Sequence, residues 1–106
     1  MSKNTLEKLQ KIIKKRKKDR PKDSYVAKLF DRGRKKMAQK VAEEGAELAI
    51  AAVSEGRKQI VSEAADLLFH TLVLLEDAEV SFDEVLDELH SREGISGLEE
   101  KAKRKD

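Results

Sequence analysis

The chain has no cysteine and no tryptophan, one proline and five glycines, and only 4% of its 106 residues are aromatic. Without cysteine there is no disulfide framework, no thiolate nucleophile and no cysteine-ligated zinc. So little proline and glycine excludes a collagen-like repeat or a low-complexity Pro/Gly chain. No stretch reaches the ~18 consecutive apolar residues that a membrane-spanning helix needs, so no membrane partner is expected. The opening MSKNTLEKLQ lacks the apolar core of a signal peptide, which makes the cytoplasm the expected location. Few aromatics and little alternating Val or Ile argue against a β-sheet protein.

Charged residues make up 42% of the chain, interleaved with Ala and Leu. That composition predicts an all-α protein, and 106 residues suit one domain over 1–106. The net charge of +2 is unevenly spread: residues 1–22 hold ten Lys/Arg against two acids, and the remainder holds thirteen against nineteen. A basic leading segment attracts nucleic acid, a small polyanion, or only water. No aromatic is interleaved between Lys14 and Arg20 for base stacking, so this run reads as a solvated helix end and no nucleic-acid partner is expected.

Helical spacing of Leu6, Leu9, Ile12 and Ile13 predicts a basic helix over 5–20, capped by Thr5 and stopped by Pro21. A short helix follows, capped by Asp23 or Ser24, with Tyr25, Val26, Leu29 and Phe30 inward and Gly33 as its end. Longer helices over Arg34–Val53 and Lys58–Glu79 form an antiparallel hairpin around Gly56. Ser81 and Glu84 make a capping box, with Val80 against Val85 as a hydrophobic staple, for a helix running to Arg92. Gly94 to Gly97 reads as a loop before a charged tail at 97–106. The prediction is four to five helices around the central hairpin.

The chemistry lies in that hairpin. Ala64 to Leu75 is apolar nearly all round and interrupted only by Asp66 and His70, so the helix is expected to be buried on every side. A buried carboxylate needs a partner. Glu63 shares the face of Asp66, and Glu44 shares that of Glu47. Counted from Gly56, these four acids fall at one height on the two antiparallel helices. Such a cluster repels itself unless a cation neutralises it, and oxygen-only ligands select Mg²⁺ or Mn²⁺. His70, one turn beyond Asp66, reads as a hydrogen-bonded core histidine in preference to a ligand. Gly45 stands mid-helix, at a cost of ~1 kcal/mol, as though a neighbour approached closely there.

Glu44-x-x-Glu47 followed by Glu63-x-x-Asp66 resembles the metal motif of the all-α nucleoside triphosphate pyrophosphohydrolases, the MazG-like and dimeric dUTPase group. The stretches SYVAKLF (24–30), KVAEE (40–44), EAADLLFH (63–70) and GLEEKA (97–102) resemble more narrowly the phosphoribosyl-ATP pyrophosphatases of histidine biosynthesis. The likeness runs from Thr5 to Arg104. Two departures stand out: Ala42 and Gly45 exchange places relative to the family's KVGEEA, and Glu79 stands where the family has glycine. Neither removes a ligand. No cyclohydrolase-like segment precedes Thr5, so a monofunctional form is expected.

The resemblance implies a homodimer whose active sites are four-helix bundles built from both subunits. It implies Mg²⁺-dependent hydrolysis of 1-(5-phosphoribosyl)-ATP to phosphoribosyl-AMP and pyrophosphate. The implied metal ligands are Glu44, Glu47, Glu63 and Asp66, with Glu43 as a candidate to orient the attacking water or as a surface ion-pair partner. Lys28 and Lys40, and in the tail Lys101 and Arg104, are candidate phosphate contacts. Two alternatives remain open at this level: a house-cleaning (d)NTP pyrophosphatase with the same acid motif, and a non-enzymatic basic helical binding protein.

Overall fold

The computed structural model describes residues 5–93. The expected loop at 94–97, the charged tail, Lys101 and Arg104 lie outside the described residues. Five helices follow in order: α1 (Thr5–Asp19), α2 (Tyr25–Arg32), α3 (Arg34–Ser54), α4 (Arg57–Asp77) and α5 (Phe82–Ser91). The all-α prediction holds, with no strand among the described residues.

Local chemistry sets the boundaries. The Ser24 hydroxyl accepts from the Ala27 amide at 3.1 Å and starts α2. Gly33, at φ 94°, ends α2 and begins α3 within one residue. Its amide bonds Leu29 O while its own carbonyl accepts from Met37. That positive φ turns the chain sharply at a conformation only glycine takes freely. Both halves of the Ser81–Glu84 capping box are made, at 3.2 and 2.9 Å.

α3 and α4, of 21 residues each, reverse at Gly56 and lie along one another. α1 and α2 pack across the end of this hairpin far from Gly56, where Ile13, Val26, Leu29, Phe30, Met37, Leu72 and Val73 form the core. Leu6, Leu9, Phe69, Leu74 and Phe82 close around it. The basic end of α1 is largely solvated, as expected, with Lys14, Lys15, Lys18 and Arg20 exposed, while two of its side chains also reach the core. Lys17 and Arg20 approach the Phe30 ring at 5.9 and 5.6 Å; Lys17 donates to Glu76 O at 3.2 Å and Arg20 pairs with Asp31 at 2.7 Å.

The half of the hairpin nearest Gly56 has no such cover. Val61 is 63% exposed, Ile50 58% and Val53 88%, and Leu68, Ala65 and Asp66 are exposed too. The expectation that α4 is buried all round is therefore corrected. Among the described residues α4 is enclosed only beyond His70, because α1 and α2 reach no further. Tyr25 is likewise half-exposed and not packed inward.

Candidate metal and phosphate site

The acid cluster sits at the middle of the hairpin, where the covered half meets the bare half. Carboxylate oxygens of Glu44, Glu63 and Asp66 lie within 4.8 Å of one another. Glu44 projects from α3 and is buried; Glu63 and Asp66 face it from α4. Glu47 stands outside this trio, on the exposed side of α3, with its carboxylate acting directly on Glu63. The i,i+3 spacing in each helix and the reversal at Gly56 thus bring four acids to one level, three of them tightly.

Electrostatics and hydrogen bonding both mark Glu63. Burial raises its pKa above the usual glutamate value, and the carboxylates of Glu47, Asp66 and Glu44 push it further in the same direction. Its Oε1 is buried and has no hydrogen-bond partner among the described residues. A buried oxygen left unsatisfied amid other acids is unfavourable in the protein alone and suited to a cation. The residues therefore fit a metal, and an all-oxygen donor set suits a hard divalent ion.

Basic groups flank the acids on one side. Lys40, one turn before Glu44, places its ammonium 3.6 Å from Glu44 and 3.7 Å from Glu43. Partial burial works against the charge of Lys40, but Tyr25, Glu44 and Glu43 together outweigh it and hold its pKa above the usual lysine value. Glu43 is exposed and accepts from Gln39 at 2.8 Å; that bond and the nearby Lys40 and Lys36 outweigh a small desolvation effect and keep its pKa low. Its carboxylate is thus committed to a surface ion pair in the free protein.

His70 is buried, with Nδ1 2.8 Å from the Asp66 carbonyl and Nε2 2.9 Å from the Tyr25 hydroxyl. A carbonyl only accepts, so in the neutral ring Nδ1 carries the proton and Nε2 accepts from Tyr25. The core-histidine reading holds. Phe69 packs edge-on to the imidazole at 4.9 Å and stacks on Tyr25 at 6.1 Å.

Lys28 and Lys40, the candidate phosphate contacts, both line a cavity of ≈ 320 Å³ between α2 and α3. Arg32, Lys36, Tyr25 and Leu29 complete its walls. Arg32 and Lys36 were missed by motif matching. The signal was present as a four-residue spacing through positions 28, 32, 36 and 40. Like charges one turn apart, Lys28 and Arg32 on α2 and Lys36 and Lys40 on α3, disfavour folding by ~0.2–0.5 kcal/mol per pair, so neither pair is a stabilising device. Gly45 needs no structural excuse either: a Cβ there would meet Leu67 Cδ1 at an ordinary 4.0 Å, which corrects the expectation of a close approach.

An all-α hairpin whose facing helices carry a carboxylate cluster able to hold a divalent cation defines the class of protein. The particular family follows from the sequence as a whole: residues 6–93 match the phosphoribosyl-ATP pyrophosphohydrolase family, and the chain belongs to it. It is 51% identical over 104 residues to a phosphoribosyl-ATP pyrophosphatase of Zymomonas mobilis, covering 98% of this chain and 97% of that protein. A protein of the same name from Erythrobacter litoralis is 52% identical over 97% of this chain and 99% of its own length. Another, from Novosphingobium aromaticivorans, is 54% identical over 93% and 92% respectively. No helix among the described residues is long and apolar enough to cross a membrane.

Proposed function

We propose that this chain hydrolyses 1-(5-phosphoribosyl)-ATP between its α and β phosphates, releasing phosphoribosyl-AMP and pyrophosphate, as the second step of histidine biosynthesis in the cytoplasm. The observation that carries this reading is the trio of Glu44, Glu63 and Asp66 with its orphaned Glu63 oxygen, in a chain of this family. Glu44, Glu63 and Asp66 would hold Mg²⁺, with Glu47 completing the set. When bound, the ion supplies Lewis-acid polarisation of the phosphate oxygens and offsets the charge that develops on them.

The protein's own groups do the rest. The Glu47 carboxylate oxygen not engaged by the metal, on the solvent side of the trio, orients the attacking water and accepts its proton as the new Pα–O bond forms. The Pα–O–Pβ bridge breaks and its electrons leave with the pyrophosphate. Lys28 and Lys40 fix the substrate's phosphates, and Glu43 holds the Lys40 ammonium from the other side. Ile50, Val53, Val61 and Leu68 form the face against which a second copy packs, enclosing the acids in a four-helix bundle.

The test is pyrophosphate release with Mg²⁺ from phosphoribosyl-ATP, ATP, dUTP and dCTP. Turnover of phosphoribosyl-ATP that a chelator abolishes is the expected result. Preference for a free nucleotide would retain the metal site and overturn the substrate.

A further inference from the structure

We propose that the cavity between α2 and α3 is a phosphomonoester subsite that holds the 5′-phosphate of the substrate's N1-linked ribose and so separates phosphoribosyl-ATP from ATP; the assignment of that phosphate rests on the function proposed above. Four cations, Lys28, Arg32, Lys36 and Lys40, line one cavity with no acid among its walls. Three of the other basic residues at this end have acidic partners, Arg20 with Asp31, Arg34 with Asp77 and Lys17 with Glu76, and the two cavities beside α1 each include acids in their walls. Lys28 and Arg32 make no ion pair with the described residues, so both are available to an anion that enters the cavity. The larger cavity, of ≈ 590 Å³, between α1 and α4 sets Glu7, Glu76 and Asp83 against Lys11 and Lys14, and so favours no charge sign.

Position selects which phosphate. Lys40 touches the acid cluster through Glu44, whereas Lys36 lies two turns before Glu44 on α3, ~12 Å along its axis. Lys28 and Arg32 stand on α2, the wall of the cavity opposite the helix that carries Glu44, and neither pairs with an acid of the cluster. The substrate's other end, separated from the triphosphate by ribose, adenine and a second ribose, spans that distance. ATP is identical at the acid cluster and lacks this one group. A site that pairs charge with a remote phosphate discriminates by what the wrong substrate leaves unpaired.

The measurement is direct binding of ribose 5-phosphate and, separately, of pyrophosphate to the full chain, followed by ³¹P NMR, for wild type, Arg32→Gln and Lys28→Gln. The expected result is ribose 5-phosphate affinity reduced about 10- to 100-fold in both variants, with pyrophosphate affinity unchanged. In turnover, the same variants raise KM for phosphoribosyl-ATP by a similar factor with kcat nearly constant. Wild-type affinity for ribose 5-phosphate in both variants would overturn the subsite, as would a selective loss of pyrophosphate binding, which would make the cavity a leaving-group site. Because binding is read without turnover, a wild-type chain that binds ribose 5-phosphate through Arg32 yet fails to hydrolyse phosphoribosyl-ATP would sustain the subsite and refute the proposed reaction instead.

Discussion

The ammonium of Lys40 stands 3.6 Å from the buried carboxylate of Glu44, so the acid trio already has one cation at its edge before any metal arrives. Lys40→Met removes that charge and leaves Glu44 facing Glu63 and Asp66 uncompensated. The metal-free protein should lose about 1 kcal/mol, since the pair is long and partly solvated. Saturating Mg²⁺ should recover most of that loss. Thermal unfolding with and without Mg²⁺ reads both quantities, and an equal loss in the two conditions would refute the compensation.

Glu63→Gln and Asp66→Asn keep the shape of the cluster and remove its charge. Even groups that only support a metal ligand alter activity 10- to 100-fold, so turnover should fall by at least ~100-fold in each variant. The fold should persist, because both residues lie outside the apolar core. Near wild-type rates would show that the cluster is not the catalytic centre.

Stability of the metal-free protein should depend on pH through Glu63. Burial, then Glu47, Asp66 and Glu44, raise its pKa above 4.5, so the native state keeps a proton that the unfolded chain has already released. Stability from this group is full below pH 4.5 and is lost as pH rises through the raised native value. Glu63→Gln cannot lose a proton, so its unfolding midpoint should fall less than wild type between acid and neutral pH. Identical pH profiles for the two proteins would contradict the shift.

At two positions where this chain departs from its family, opposite changes, glycine removed at one and introduced at the other, should both stabilise. Gly45 sits inside α3 with room for a methyl group, so Gly45→Ala should stabilise by about 0.4–1 kcal/mol. Glu79 adopts φ 60°, a left-handed conformation unfavourable for a residue with a Cβ, just before the capping box of α5. Glu79→Gly should stabilise by up to about 1 kcal/mol by relieving it. Denaturant midpoints of the two variants and their combination check this, with additivity expected for separated sites.

Leu68→Asp tests the second copy. An acid placed on the apolar face formed with Val61 and Ile50 should weaken self-association, read as a shift to monomer by sedimentation, while α1 and α2 keep their packing. A sedimentation profile identical to wild type would rule this face out as the contact.

The helices were legible from their ends. Ser24, Ser81 with Glu84, and Gly33 each act through backbone groups within a few residues, so no distant contact was needed to read them. The acid cluster was legible for a related reason: the spacing 44/47 and 63/66 about Gly56 sets height and face by helix geometry alone. Burial of α4 was not, because an apolar helix says how much cover it needs and not which part of the chain supplies it. Tyr25 was misread inward because its aromatic ring predicted core, while its hydroxyl is spent on His70 at 2.9 Å.

By itself, then, the sequence determined the all-α class, the helix ends and the alignment of Glu44, Glu47, Glu63 and Asp66, all consequences of rise per residue and local capping. Only the tertiary structure decided which three of those acids draw together. It also decided that α1 and α2 cover just one end of the hairpin, and that Lys28 and Arg32 of α2 meet Lys36 and Lys40 of α3 around one cavity. These outcomes depend on the direction in which helices cross, set at Gly33 and by the interlocking of Phe30, Met37 and Val73, and a linear pattern does not encode an angle.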